Sequence, residues 1–216
     1  MAPNLSETGE EEILRCIRRM IPESPEIPVG IGDDAACLAF DRKSYLLFTV
    51  DAVVDGVDFH LAKISPEAVG RKTLAQNLSD IAAMGGLPLY AVVSLGLPRR
   101  FPLRFVERFY RGMMPLAREW GVAIVGGDLS RSRVFFASLA LLGRVERKNL
   151  VRRSGARDGD LLFVTGALGG SILGRHFSFR PRLREARELV TRHEIHAMID
   201  VSDGFIEDLA RLCEAS

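Results

Sequence analysis

Five separate stretches of this chain each deliver an aspartate from the end of an apolar or small-residue run. The first is Gly30-Ile31-Gly32-Asp33-Asp34-Ala35-Ala36, where a glycine pair presents two adjacent carboxylates. Asp51 closes the run Tyr45 to Val50, and Asp80 ends the polar stripe of a helical pattern. Asp128 follows Val122 to Gly127, and Asp200 and Asp203 follow Ala197-Met198-Ile199. Neighbouring like charges repel, so a fold that keeps them ionised usually supplies a cation. One Asp-Asp pair is an ordinary solvated turn, but five such deliveries require a fold that gathers acids. The pattern predicts a single site for divalent metal and nucleotide phosphate, with the remaining chain as its frame.

That frame has 216 residues to draw on, enough for one large domain or two small ones with a sizeable core. A formal net charge of +1 gives no electrostatic case for a nucleic-acid or anionic-membrane partner. Cys16, Cys37 and Cys213 are far apart, odd in number and without a Cys-x-x-Cys pair. A disulfide framework or zinc ribbon is therefore not expected, and a reducing cytoplasm is. The N-terminus is acidic where a signal peptide would be basic and then apolar, and no apolar run approaches the roughly 18 residues of a spanning helix.

Taken in order, the chain predicts a helix capped by Ser6 or Thr8, with Ile13, Leu14, Ile17 and Met20 on its apolar stripe. A hairpin follows, Ala36–Phe40 and Tyr45–Val50 around Asp41-Arg42-Lys43-Ser44. Ser65-Pro66-Glu67 opens a second helix that runs to Met84 and stops at Gly85-Gly86. On it Leu74, Leu78 and Ile81 are the buried stripe, and Asn77 and Asp80 share a flank. That flank reads equally as a buried hydrogen-bonded pair or as a ligand and its positioning partner. Leu89–Leu97 is a strand, Phe101–Trp120 a helix kinked by Pro115, Val122–Val125 a short buried strand and Arg133–Val145 another strand. At Glu146–Asp160 the apolar period disappears, which places a domain boundary there, with domains at 1–145 and 146–216. Beyond it the pattern predicts a strand at Leu161–Thr165, a helix from Ser171, a basic helix at Arg182–Arg192, a short strand into Asp200, and a helix opening at Ile206.

Magnesium takes oxygen ligands and keeps several waters, so a few carboxylates plus substrate phosphates suffice to hold it. The five stretches contain neither His nor Cys, which zinc would want. Gly126-Gly127 before Asp128 would let a phosphate approach the backbone, and Ser202 either caps a helix or donates to a phosphate. There is no Walker-type Gly-x-x-x-x-Gly-Lys-Ser/Thr loop. Ser171 lacks a nucleophile-elbow context, and His60, His176, His193 and His196 read as surface or cap residues.

Taken together, Gly30-Ile-Gly-Asp-Asp-Ala-Ala36, Thr49-Val-Asp51, Asn77-Leu-Ser-Asp-Ile-Ala-Ala-Met-Gly85, Gly126-Gly-Asp128, Arg153-Ser-Gly155, Val164-Thr-Gly166 and Asp200-Val-Ser-Asp-Gly204 resemble the thiamine-monophosphate kinases. That family stands beside the aminoimidazole ribonucleotide and selenophosphate synthetases. The resemblance implies an α/β (α+β) fold: an N-terminal mixed sheet with helices that forms a barrel across a homodimer, and a C-terminal α/β domain. It implies ATP-dependent phosphorylation of thiamine monophosphate to thiamine diphosphate by in-line transfer, with several Mg²⁺ ions. By motif, Asp34, Thr49, Asp51, Asp80, Asp128, Asp200 and Asp203 would be metal ligands. Gly127, Asp128, Arg153 and Ser202 would meet ATP, and Asp58 would lie on the substrate side, where the family commonly has His. Family members continue past Ser216 with a Gly-Gly-Glu-Asp-Tyr-Glu motif that helps hold thiamine, so the chain is expected to be a fragment with an incomplete second domain. Two alternatives stay open: another ATP-using enzyme of the same superfamily, or an inactive domain that binds only metal and nucleotide.

Overall fold

A computed structural model describes residues 9–216. The proposed Ser6 or Thr8 cap lies outside them; helix α1, Glu10–Met20, starts from Gly9. Strands β1 (Ala36–Ala39) and β2 (Ser44–Val54) form the expected hairpin. Asp41 fixes its turn by accepting from Lys43 N, Ser44 N and Ser44 Oγ. Helix α2 (Pro66–Ala83), strand β3 (Leu87–Leu97), helix α3 (Leu103–Trp120) and strands β4 (Ala123–Arg131) and β5 (Phe136–Glu146) complete the first unit. Ser65 Oγ caps α2 by accepting from Ala68 N, with Pro66 at the first position.

The five strands make one mixed sheet in the order β1-β2-β5-β3-β4, parallel only between β3 and β4. Helices α2 and α3 cover one face, and the core lies between them and the sheet. Phe109, Met113 and Leu116 from α3 and Leu74, Leu78 and Ile81 from α2 meet Leu47, Val93, Leu139 and Leu141 there. Around Phe135 the rings of Phe59, Phe101, Phe105 and Phe109 pack with centroids 4.9 to 6.2 Å away. Among the described residues no helix covers the opposite face. Register sets its rows: Ala36, Phe48, Leu142 and Tyr90; then Val50, Ala140 and Val92; then Ala52, Ser138, Ser94 and Asp128. Phe48, Val50, Tyr90 and Val92 are exposed on it.

Helix α3 carries Pro115 on its exposed side, where the lost backbone hydrogen bond is least costly. Two local expectations change. The stretch expected as a short buried strand at Val122–Val125 is instead nine residues of exposed edge strand, with Gly126-Gly127-Asp128 inside it. Beyond β5 come a 3₁₀ turn (Arg147–Asn149), a second (Ser171–Leu173) and helices α4 (Arg175–Ser178), α5 (Leu183–Arg192) and α6 (Phe205–Ala215). Leu161–Thr165 and Ala197–Ile199 form no strand, because among the described residues no neighbouring strand supplies their ladder bonds. Helix α5 is nonetheless tied down: Arg187 donates to Glu146 Oε1 and Oε2 and to Gly85 O.

Two glycines set how closely α2 and α3 approach. A Cβ on Gly112 would sit 1.9 Å from Glu67 O, and one on Gly70 would sit 1.9 Å from Phe109 O. Both neighbours are backbone and cannot swing aside. Gly112→Ala is expected to cost about 3 kcal/mol of stability, as overpacking does. Urea unfolding measures this, and a loss below about 0.5 kcal/mol, the range of a neutral surface change, would mean that the helices are not in contact there.

Candidate functional site

Four carboxylates from four segments converge on one large cavity beneath the sheet edge. Asp34 comes from the loop before β1, Asp51 from within β2, Asp80 from the last turn of α2, and Asp200 from the segment before α6. Strand parity explains Asp51: Leu47, Thr49 and Val53 turn to the covered face, and Asp51 shares their side. Asp80 is on the flank of α2 beyond its apolar stripe, and Thr49 Oγ1 donates to its Oδ2 at 2.6 Å, fixing the carboxylate. Asn77 does not accompany it; its Nδ2 bonds back to Thr73 O at 3.0 Å.

Each of the four carboxyls is pushed above the usual carboxylate range, chiefly by burial. Asp34 rises to about 7 and Asp51 to about 6, Asp200's charge adding to both. Asp80 rises well above its ordinary value, with Asp51 and Asp200 next after burial. Asp200 is raised as well, partly offset by the Ser79 hydroxyl. At Asp34 a cation answers this crowding. Arg153 Nη2 donates to Asp34 Oδ1 at 2.6 Å, with the Asp34 side chain 1% exposed. The pair leaves Asp34 Oδ2 and Arg153 Nε buried without partners. Adjacent Asp33 does different work, accepting from Asp34 N and from Arg153 N.

Ser202 and Asp203 reach the same cavity at the start of α6. There Asp208, which the motif reading passed over, accepts from the backbone N of Ser202, Asp203 and Gly204 through Oδ2. Asp203 pairs with Arg211 at 2.6 Å. Asp58 also lines the cavity, while its Oδ2 accepts from Val54 N and closes the turn after β2. Gly127 and Asp128 do not line it. Asp128 is in register with Ser94, Ser138 and Ala52 on the bare face, whereas Asp51, one residue from Ala52, points the other way. From β2 to β4 is three strand spacings, about 14 Å. Among the described residues Asp128 bonds only Ser130 Oγ, which donates to it at 2.8 Å. Within one chain, therefore, the acids gather without Asp128.

Lys72 and His176 are further cavity residues that the sequence reading missed. His176 is half-buried and touches Lys72 Nζ through Nε2, so it is neither a cap nor a surface residue. The available signal was spacing: Lys72, Gln76 and Asp80 recur every four residues along one stripe of α2. Among the described residues, no three histidine, cysteine or acidic side chains stand close enough to enclose one ion unaided. No described helix is long and apolar enough to cross a membrane.

Comparison with known proteins gives a consistent picture. The family described as AIR synthase related protein, N-terminal domain, matches residues 32–145. A thiamine-monophosphate kinase of Rhodopirellula baltica is 42% identical over 215 residues, covering 96% of this chain and 67% of that protein. Its counterpart in Bacillus subtilis is 33% identical over 230 residues, covering 96% and 70%. The structure of AaThiL complexed with AMPPCP and TMP superposes with a TM-score of 0.90 at 33% identity, over all of this chain and 73% of that one. Another, thiamine monophosphate kinase from Aquifex aeolicus, gives 0.81 at 29% identity, covering 99% and 74%.

The crowding sets a pH signature. The folded chain holds protons on Asp34 up to about pH 7 and on Asp51 up to about pH 6, whereas the unfolded chain loses them near 3.8. Between those values the folded state binds more protons, so the site's contribution to stability is full below the lower figure and falls as pH rises. Glu146, held down to about 2 by Arg187, opposes this only below its ordinary 4.5. In chelator, the urea midpoint is expected to fall from about pH 5 to pH 8, and Asp51→Asn to raise the pH 8 value and flatten the slope. A flat wild-type profile would mean that the acids are not buried together.

Proposed function

The chain belongs to the thiamine-monophosphate kinase family, and on that premise we propose that it uses ATP to phosphorylate thiamine monophosphate to thiamine diphosphate. The observation that carries this reading is the convergence of Asp34, Asp51, Asp80 and Asp200 on one cavity, with Arg153 at its edge. Transfer between two phosphates needs little covalent help from protein; it needs the two anions held in line and their charge matched. In the step, an oxygen of the acceptor phosphate bonds to the γ-phosphorus. The bond from that phosphorus to the β–γ bridging oxygen breaks, and ADP leaves.

The residues fit Mg²⁺ by donor chemistry. All are hard oxygens, and Asp34 Oδ2 is buried with no donor of its own. Asp34, Asp51, Asp80, Asp200 and Asp203 would hold the ions, with Thr49 as a further ligand or as the hydroxyl that orients Asp80. Bound there, Mg²⁺ supplies neutralisation of the phosphate oxygens. Arg153 offers a planar fork to the nucleotide's phosphates, and Ser202 a hydroxyl beside it. Asp33 keeps the Arg153 backbone fixed while the guanidinium acts. Asp58 belongs to the acceptor side.

Gly127 and Asp128 join the same reading from a second copy. The bare sheet face is apolar and contiguous, which an isolated soluble domain seldom leaves open, and Asp128 points out from its margin. A homodimer formed on that face would turn Asp128 toward the partner's cavity. The division at 145/146 and a cytoplasmic setting are part of this reading as well, supported by the family match ending at 145 and by three free cysteines.

Incubated with ATP, Mg²⁺ and thiamine monophosphate, the chain is expected to release ADP and thiamine diphosphate. Asp80→Asn should lower turnover by about a thousandfold, the size of effect seen when a group stabilising transition-state charge is lost, with unfolding unimpaired. A full rate in that variant would defeat the assignment. Inactive Asp51→Asn and Asp128→Asn chains, unfolded and refolded together, should regain about a quarter of wild-type activity, because half the dimers then carry one intact shared site. No recovery would place Asp128 and Asp51 in the same subunit's site or outside any site.

A further inference from the structure

Lys72 is a buried cation without a carboxylate partner among the described residues. The residue is 7% exposed, on α2 two turns before Asp80, and it lines the cavity. An ammonium carries three donors. One meets His176 Nε2, and the Phe177 ring lies 5.3 Å from Nζ, leaving two donors unused. As an ammonium Lys72 donates, and His176, whose pKa burial and the neighbouring lysine lower, accepts at Nε2 as the neutral imidazole. Burial pulls Lys72 below its ordinary pKa, while Asp58 and Asp51 pull it up. A charged group kept out of water in this way is costly unless an anion completes its shell.

The neighbours give the site a direction. Arg153 acts on Asp34, Asp33 and Asp200, and Lys72 on Asp51 and Asp58. The two cations therefore face different carboxylates of the cluster. A transfer between phosphates brings two anions into the site, and Arg153 accounts for the nucleotide.

We propose that Lys72, held in place by His176, grips the phosphate of the acceptor substrate. This rests on the kinase reading above. Two N–H groups of Lys72 would hold non-bridging oxygens of the acceptor phosphomonoester, leaving the third oxygen to attack the γ-phosphorus. That oxygen is already largely deprotonated near neutral pH, since a phosphomonoester's second pKa is about 6, so no base is required. Lys72 thus screens the incoming phosphate from Asp51 and Asp58. His176 touches no substrate and is a positioning residue.

The test is steady-state kinetics on the full chain with Lys72→Met, Lys72→Arg, His176→Leu and His176→Gln. Lys72→Met should raise KM for thiamine monophosphate by about tenfold or more, the size of a lost charge-assisted contact, with KM for ATP within about twofold. Lys72→Arg should recover part of it. His176→Leu should raise the same KM, and His176→Gln, which still offers an acceptor to the ammonium, should rescue it. An unchanged acceptor KM in Lys72→Met, or an equal rise for ATP, overturns the proposal. A wild-type chain that does not turn over would sink the kinase reading, and inorganic phosphate then decides the subsite separately. Phosphate should raise the wild-type unfolding temperature and leave Lys72→Met unmoved; equal shifts would overturn it. Thermal unfolding of every variant without phosphate identifies any change that is simply a folding defect.

Discussion

The burial of four carboxyls together, Asp34, Asp51, Asp80 and Asp200, is the constraint on which the rest of this structure depends. Burial drives all four toward the neutral form. The charge of neighbours in the cluster adds to it at Asp34, Asp51 and Asp80, and that of Asp208 and Asp203 adds to it at Asp200. Arg153 answers part of it at Asp34. A buried carboxylate cluster weakens a fold, so its elements have to be held by other means. The aromatic group around Phe135 and the glycine-mediated contact of α2 and α3 provide that. The site is thus supported by a core in which two helix backbones approach closely at Gly70 and Gly112, and the acids are set at its margin.

The sheet divides its two faces between these tasks. On the covered face of β2, Tyr45 and Leu47 give way to Thr49 and Asp51, which line the cavity, before Val53 returns to the core. On the bare face the same period places Phe48, Val50, Tyr90 and Val92 in the open. A one-residue slip of β2 would exchange these sets and bury the apolar row where the acids belong. The long pairing of β2 with β5, eleven residues in register from Ser44 to Val54, guards against it.

Much of this was legible in the sequence because it follows from local period and punctuation. The hairpin at Asp41, the Ser65-Pro66 helix start and the positions of Asp51 and Asp80 need no knowledge of distant contacts. What was not legible required register. Asp128 follows a glycine pair as Asp34 does, but its face is decided by pairing with Ser94 and by a bulge in β4 opposite Ala91 and Val92. Leu161–Thr165 has strand composition and no strand beside it, so propensity alone misled. Lys72 and His176 escaped because they are 104 positions apart and neither has a motif of its own.

The adjacent pair Asp33 and Asp34 shows how a late segment is brought to an early one. Asp33 accepts from Arg153 N, so the backbone at 153 is fixed to the loop before β1. One residue earlier, Arg152 O accepts from Met198 N at 3.0 Å, and two residues beyond Met198 stands Asp200. Two hydrogen bonds, one from a backbone N–H to the Asp33 carboxylate and one between backbones, therefore carry Asp200 into the cluster through a stretch that has no regular structure of its own. The Arg153 side chain turns back to Asp34 from the same point, so the residue that relays the backbone also moderates the charge it delivers. Positioning and neutralisation share residue 153, which is why a boundary segment without a hydrophobic period can still order the most crowded part of the molecule.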